Sequence, residues 1–204
     1  MADEEAARVE IYRVILNPPI LAEALSIETR LRDQPAAVKI RFDNDRTRPD
    51  ADIPGDIAKA WAVRRLVGDG FPLAFEANNG YSVGGAVRVG RVLEELGYWW
   101  FEEPVQHYHV KAMGEVSRRL DITVSAGEQT YTLSGLADLI EAGVRMVQPD
   151  IVKMGGFTSM WRCAAVAEAH GVELVPHQTE PTIKEIDMSF VRMVRNVRCA
   201  PGPA

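Results

Sequence analysis

The chain has 204 residues, of which 47% are hydrophobic and 25% charged, with a formal net charge of −6. That balance belongs to a soluble globular domain: the apolar share is too high for disorder, and no run approaches the roughly 18 to 20 apolar residues of a membrane span. A negative sum without a basic stripe argues against a nucleic-acid partner, and the start MADEEAARVE lacks the basic-then-apolar order of a secretory signal, so a cytoplasmic location is expected.

Taken in chain order, Val9 to Leu16 (VEIYRVIL) reads as a strand, followed by a helix from Ile20 to Arg32 that Pro18 and Pro19 open. Short apolar runs of strand length then recur at Ala37 to Phe42, Leu73 to Ala77, Tyr98 to Glu102, Ile122 to Ala126, Met146 to Asp150 and Glu173 to His177. Their continuous hydrophobicity suits strands buried on both faces, as in a parallel sheet. Between them, Ile57 to Val67, Gly85 to Leu96, Val110 to Leu120, Ser134 to Ala142 and Thr158 to His170 carry apolar residues three and four apart. Several of these helices stop at glycine, as at Gly97, Gly143 and Gly171. A last helix is predicted over Lys184 to Val197, and the tail Ala200 to Ala204 (APGPA) is expected to be disordered.

Asp43 to Gly55 is polar, with two prolines, and reads as an exposed loop. Cys163 and Cys199 have no partner motif and are read as inert packing residues. Trp61, Trp99, Trp100 and Trp161 are assigned to helix–sheet packing, His107 and His109 to a passive loop, and Gly155-Gly156 to a tight strand-to-helix turn. Strict alternation of strand and helix implies a parallel sheet, either open and doubly wound or closed into a barrel.

Strand after strand ends in an ionisable group: Lys39 and Arg41, Glu76, Glu102, Glu128 just past its strand, Asp150, then His177. In a parallel sheet these ends lie on one side, where ligands of α/β proteins bind. Glu76, Glu102 and Glu128 are spaced 26 and 26 apart, one strand–helix unit each. Three carboxylates in one place raise each other's pKa unless a cation neutralises them. All-oxygen ligation favours Mg²⁺, or Mn²⁺, over Zn²⁺.

The stretches VKIR (Val38 to Arg41), FEANNGYS (Phe75 to Ser82), WFEEP (Trp100 to Pro104), AGEQ (Ala126 to Gln129), QPDIVKMGG (Gln148 to Gly156) and PHQ (Pro176 to Gln178) together resemble the mandelate racemase branch of the enolase superfamily. The resemblance implies an incomplete (β/α)8 TIM-type barrel of about seven strand–helix units over residues 1–199. It also implies Mg²⁺ at the mouth and a reaction begun by removing the proton α to a carboxylate of a small hydroxy acid, leading to dehydration or racemisation. By the same resemblance Glu76, Glu102 and Glu128 match the metal ligands and Glu103 a non-ligand position. His177 and Asp150 match a base and its aspartate partner, and Lys39 and Arg41 match a Lys-x-Lys pair. Asn78 and Lys153 are assigned to substrate contact.

Two positions depart from the family's pattern. Arg41 replaces a lysine that acts as a base, and a guanidinium keeps its proton at neutral pH; His177 is then the single strong base, which suits dehydration better than two-base racemisation. Glu76 stands where the family usually has aspartate. The family's N-terminal capping domain and eighth strand find no counterpart in the sequence, so a homo-oligomer or completion by another chain is expected. The alternative expectation is a truncated or degenerate barrel that binds metal and is inactive without a partner chain. A phosphate-binding barrel isomerase is disfavoured, because Lys184 and its neighbours lack a glycine-rich anion loop.

Overall fold

The computed structural model describes residues 37–41 and 47–177. Six strands alternate with five helices: β1 (Val38–Arg41), α1 (Ile53–Val67), β2 (Leu73–Glu76), α2 (Val83–Glu95), β3 (Trp100–Glu102), α3 (Val110–Arg119), β4 (Thr123–Ala126), α4 (Leu133–Ala142), β5 (Met146–Val147), α5 (Phe157–Ala169) and β6 (Glu173–Leu174). All pairs are parallel and the order is sequential, β1 to β6. This is the α/β arrangement of an incomplete TIM-type barrel, with each helix returning the chain to the next strand. The predicted strand Val9 to Leu16, the helices Ile20 to Arg32 and Lys184 to Val197, and the tail from Ala200 lie outside the described residues. No described helix is long and apolar enough to cross a membrane.

The element boundaries follow from capping. The exposed loop predicted to reach Gly55 ends earlier, because Asp52 accepts the Gly55 N–H at 3.0 Å and Pro54 sits in the first turn, so α1 begins at Ile53. Ser82 and Thr132 likewise accept the N–H groups of Gly85 and Gly135, starting α2 and α4 one or two residues before the apolar period does. At its other end α4 closes on Gly143, whose φ of 105° suits glycine.

Two apolar layers result. The larger fills the space between sheet and helices, around Ile40, Leu73, Phe75, Phe101, Val124 and Leu174. The smaller lies on the sheet's inner face, where Ala74, Trp100, Met146 and Val175 pack together beneath the strand ends. The tryptophans therefore depart from the expected helix–sheet packing: Trp100 belongs to the inner layer, with Trp99 against it, while Trp61 and Trp161 are 41% and 53% exposed. Cys163 is fully buried, and burial pushes its thiol up to about 11.

Adjacent units are stapled by arginines that cap carbonyls. The buried Arg64 guanidinium donates to Leu96 O and Phe71 O at 2.8 Å, to Gly68 O at 2.8 Å and to Gly97 O at 3.1 Å. It thus ties the end of α1 to the end of α2 and to the turn before β2. Arg145 does the same one layer on, with bonds to Leu120 O, Asp121 O and Ile122 O. Helices α3 and α4 approach so closely that a Cβ on Gly114 would collide with the Ala142 carbonyl.

Replacing Arg64 by alanine leaves four carbonyls without their donor and is expected to cost about 3 kcal/mol of stability, read by urea unfolding. A loss below about 0.5 kcal/mol would show that the staple is not structural. Cys163 should resist thiol reagents at pH 8 in the native chain and react on unfolding, as peptide mass mapping would show; rapid native labelling would contradict its burial.

Candidate metal and proton-transfer site

The sheet's register explains which side chains meet. Arg41 pairs with Glu76, Glu76 with Glu102, and Glu102 with Ser125, so these four occupy one row on one face at the strands' C-terminal ends. Lys39, Ala74, Trp100 and Thr123 form the row beneath. The equal spacing of the three glutamates does not place all three at one level. Glu102 is level with Ser125, and Glu128 stands three residues further on, past the end of β4. The turn that carries it uses Gly127 at φ 131°, a conformation that favours glycine, where a Cβ would also crowd the Gln148 backbone.

Lys39 rises from the lower row into the carboxylates. Its Nζ lies 2.6 Å from Glu102 Oε1 and 3.2 Å from Glu76 Oε2, while Arg41 Nε is 3.7 Å from Glu76 Oε1. Glu102 has no exposed surface. Its second oxygen, Oε2, accepts from the Trp100 indole and from Gln148 Nε2, each at 3.1 Å. Trp100 and Gln148 were not singled out in the sequence as site residues; the signal for Trp100 is its position two residues before Glu102, which puts both on the same face of the strand.

His177 is brought in by a bridge between its backbone and that of Asp150, with His177 N donating to Pro149 O at 3.0 Å. Its side chain, however, turns to Glu128: Nδ1 lies 2.8 Å from Glu128 Oε2. The predicted Asp150–His177 side-chain pair is thus replaced here by a Glu128–His177 pair. Asp150 Oδ1 instead accepts the backbone N–H groups of Val152 and Lys153 at 2.8 and 3.1 Å, the local side-chain-to-backbone bonding that aspartate favours in turns. Lys153 Nζ reaches Gln129 Oε1 at 3.3 Å, and Gln129 Nε2 donates to Glu128 Oε1 at 2.8 Å.

Asn78, Asn79 and Glu103 all adopt left-handed backbone, at φ 50°, 66° and 41°. Asparagine tolerates this region and glutamate rarely does. Backbone bonds hold the kink: Glu103 N donates to Ser125 O and Asn79 N to Glu103 O. Because of it, consecutive glutamates diverge, Glu102 toward Lys39 and Glu103 toward Asn79 Nδ2 at 2.7 Å. Asn79 also accepts the His107 N–H, which anchors the histidine loop. Asn78 Oδ1 and Glu103 Oε1 are buried without a protein partner.

Burial is the largest single influence on each titrating group of the site. Burial raises Glu76 above the usual carboxylate range, a shift that Lys39 opposes and Glu102 reinforces. Burial and the neighbouring Glu128 push Glu103 up to about 8. Burial would lower Lys39, yet Glu102 and Glu76 outweigh it and hold the ammonium above its ordinary value. Glu128 is the exception: burial is outweighed by His177, which draws it down to about 2. One ligand atom each from Glu102, Glu128 and His177 fall within 4.8 Å of one another. Glu76, the third predicted ligand, is outside that trio and is joined to Glu102 through Lys39. Clustered buried carboxylates, two of them sharing one ammonium, are a donor set that fits a hard divalent ion.

The family model described as enolase C-terminal domain-like matches residues 22–199, and the chain belongs to that family within the enolase superfamily. A mandelate racemase/muconate lactonizing protein from Paracoccus denitrificans, solved in complex with magnesium, is 63% identical, with a TM-score of 0.84 over 89% of this chain and 50% of that one. An L-talarate dehydratase from Polaromonas sp., solved with Mg and L-glucarate, is 27% identical with a TM-score of 0.72, over 80% of this chain and 44% of its own. Among curated proteins, arabinonate dehydratase of Saccharolobus solfataricus is 32% identical over 170 residues, 82% of this chain and 46% of that protein. The matches thus cover between 33% and 46% of the length of the curated relatives.

For His177, burial lowers the pKa, but the hydrogen bond and charge of Glu128 outweigh it and raise it above 6.5. In the metal-free chain the imidazole should thus keep its proton above that pH, and an NMR titration in chelator is expected to give a midpoint above 6.5 that drops when Glu128 becomes glutamine. A midpoint at or below 6.5 in the unsubstituted chain would contradict the Glu128–His177 pair.

Proposed function

We propose that the chain carries the machinery for Mg²⁺-dependent removal of the α-proton of a hydroxy-carboxylate of the acid-sugar class, followed by loss of the β-hydroxyl as water. The observation that carries this reading is the convergence of Glu76, Glu102, Glu128, Lys39 and His177 at the C-terminal ends of parallel strands. The relatives that are acid-sugar dehydratases support the reaction class.

In this reading Glu76, Glu102 and Glu128 hold the ion. A bound divalent cation supplies positive charge against the negative charge that develops on the substrate carboxylate as the α-proton leaves. The chain's own groups do the rest. His177 donates through Nδ1 to Glu128, which fixes the tautomer and leaves Nε2 as the nitrogen that takes the α-proton. The backbone bridge to Asp150 sets where the ring stands. The electron pair left at the α-carbon forms the enediolate, and its collapse expels the β-hydroxyl, which takes the proton back from His177. The resulting enol becomes the 2-keto-3-deoxy acid. Arg41 and Lys39 present fixed positive charge to the carboxylate and cannot replace His177: Arg41 keeps its proton at neutral pH, and Lys39 is held in its ammonium form. A single base on one face favours elimination over racemisation. Asn78, whose buried side-chain oxygen has no partner among the described residues, and Lys153, which reaches Gln129, are assigned to substrate contact in this reading.

The test is α-proton exchange in D₂O across a panel of acid sugars, followed by NMR with Mg²⁺ and with chelator. Exchange that requires Mg²⁺ and falls about 10³-fold in His177→Asn is the expected result. Ion binding without exchange on any acid sugar would instead favour a barrel that binds metal and turns over nothing without a partner chain.

A further inference from the structure

Glu102 is the most deeply buried carboxylate of the site. Its two oxygens face different partners: Oε1 meets the Lys39 ammonium at 2.6 Å, and Oε2 meets two neutral N–H donors, the Trp100 indole and the Gln148 amide, each at 3.1 Å. A carboxylate oxygen offers two lone-pair sites, so both of those on Oε2 are used. All three residues are buried, Trp100 and Gln148 at 3% exposure and Glu102 at none. Water therefore cannot take over from either donor without a rearrangement of the inner layer.

The orientation of the Gln148 amide is fixed by chemistry. Turned over, it would set an amide oxygen 3.1 Å from a carboxylate oxygen with no proton between them; as it stands, its own Oε1 goes without a protein partner. The backbone fixes where the donors stand. Trp100 is two residues before Glu102 on β3, and its indole is packed against Met146 and Val175; Gln148 follows β5 directly, its N–H bonded to Ala126 O at 2.9 Å.

From this geometry, and resting on the metal reading above, we infer that Trp100 and Gln148 are positioning residues that restrict Glu102 to one-oxygen ligation through Oε1 and so set the site's choice of magnesium over calcium. The two ions differ in what they ask of a carboxylate. Mg²⁺ demands near-ideal octahedral geometry at about 2.0–2.1 Å, and Ca²⁺ takes six to eight oxygens at about 2.3–2.6 Å, with carboxylates in one-oxygen or two-oxygen mode. Two-oxygen ligation by Glu102 requires a free lone pair on Oε2, and obtaining it strips a buried N–H of its acceptor. Lys39 marks the oxygen that already faces a cation.

The experiment is calorimetric titration of the full chain with MgCl₂ and, separately, CaCl₂. It compares the unsubstituted protein with Trp100→Phe, Gln148→Met and the double variant, with circular dichroism as the control for folding. Methionine matches glutamine in length, and phenylalanine keeps an aromatic ring at a smaller volume, while both remove the N–H donor to Glu102. The preference for Mg²⁺ over Ca²⁺ is expected to narrow about tenfold in the double variant, mainly through tighter Ca²⁺ binding, and about threefold in each single variant. Should the double variant fail to fold, the single variants carry the same prediction. Infrared spectra of the Ca²⁺-loaded double variant should show a carboxylate stretching band shifted toward two-oxygen ligation, which a purely structural role for the donors would not produce. Equal loss of affinity for both ions, with the ratio unchanged, overturns this inference alone. Failure of the unsubstituted chain to bind either ion overturns the magnesium reading and this inference with it.

Discussion

Negative charge buried at the open end of a parallel sheet is the constraint on which the rest of the structure depends. Glu76, Glu102 and Glu128 are nearly or fully withdrawn from water, with Lys39 reaching two of them and His177 the third. Burying an unpaired carboxylate is costly, and each added carboxylate raises the cost of the others. The chain answers with a lysine rooted one row below the glutamates, an imidazole bridged to the neighbouring strand, and donors packed beneath Glu102.

The scaffold is built to deliver them. Parallel pairing fixes the rows, and the apolar inner layer of Ala74, Trp100, Met146 and Val175 forms a floor under the charged row. Outside the sheet, Arg64 and Arg145 cap carbonyls between successive units, and Gly114 lets α3 press against α4. The left-handed kink at Glu103 then separates two consecutive glutamates. One joins the site, and the other, pushed up to about 8, holds Asn79 and through it the His107 loop. Left-handed backbone at a non-glycine residue costs of order 1–3 kcal/mol and persists only where its surroundings impose it.

The alternation of apolar runs and amphipathic helices was legible because a parallel sheet buries both faces, and all six described strands lie within their predicted runs. The strand-end positions of Arg41, Glu76 and Glu102 were legible for the same reason. Three things were not. The slant of the register is a property of pairing and cannot be read from spacing, so equal intervals of 26 did not reveal that Glu128 stands above Glu102. The partner of His177 depends on side-chain direction, which the sequence does not carry: Asp150 Oδ1 turns to the N–H groups of its own turn, and the imidazole to Glu128. The indole of Trp100 looked like packing because tryptophan composition carries no sign of where its N–H points.

If the buried carboxylates at the strand ends hold a divalent ion, that ion must stabilise the folded chain through them. Thermal unfolding in chelator and in MgCl₂ tests that directly. At an ion concentration about a hundredfold above the dissociation constant, Tm is expected to rise by roughly 5–10 °C, and the rise should vanish in Glu102→Gln. A Tm indifferent to Mg²⁺ in the unsubstituted chain, or an equal rise in Glu102→Gln, would contradict the account.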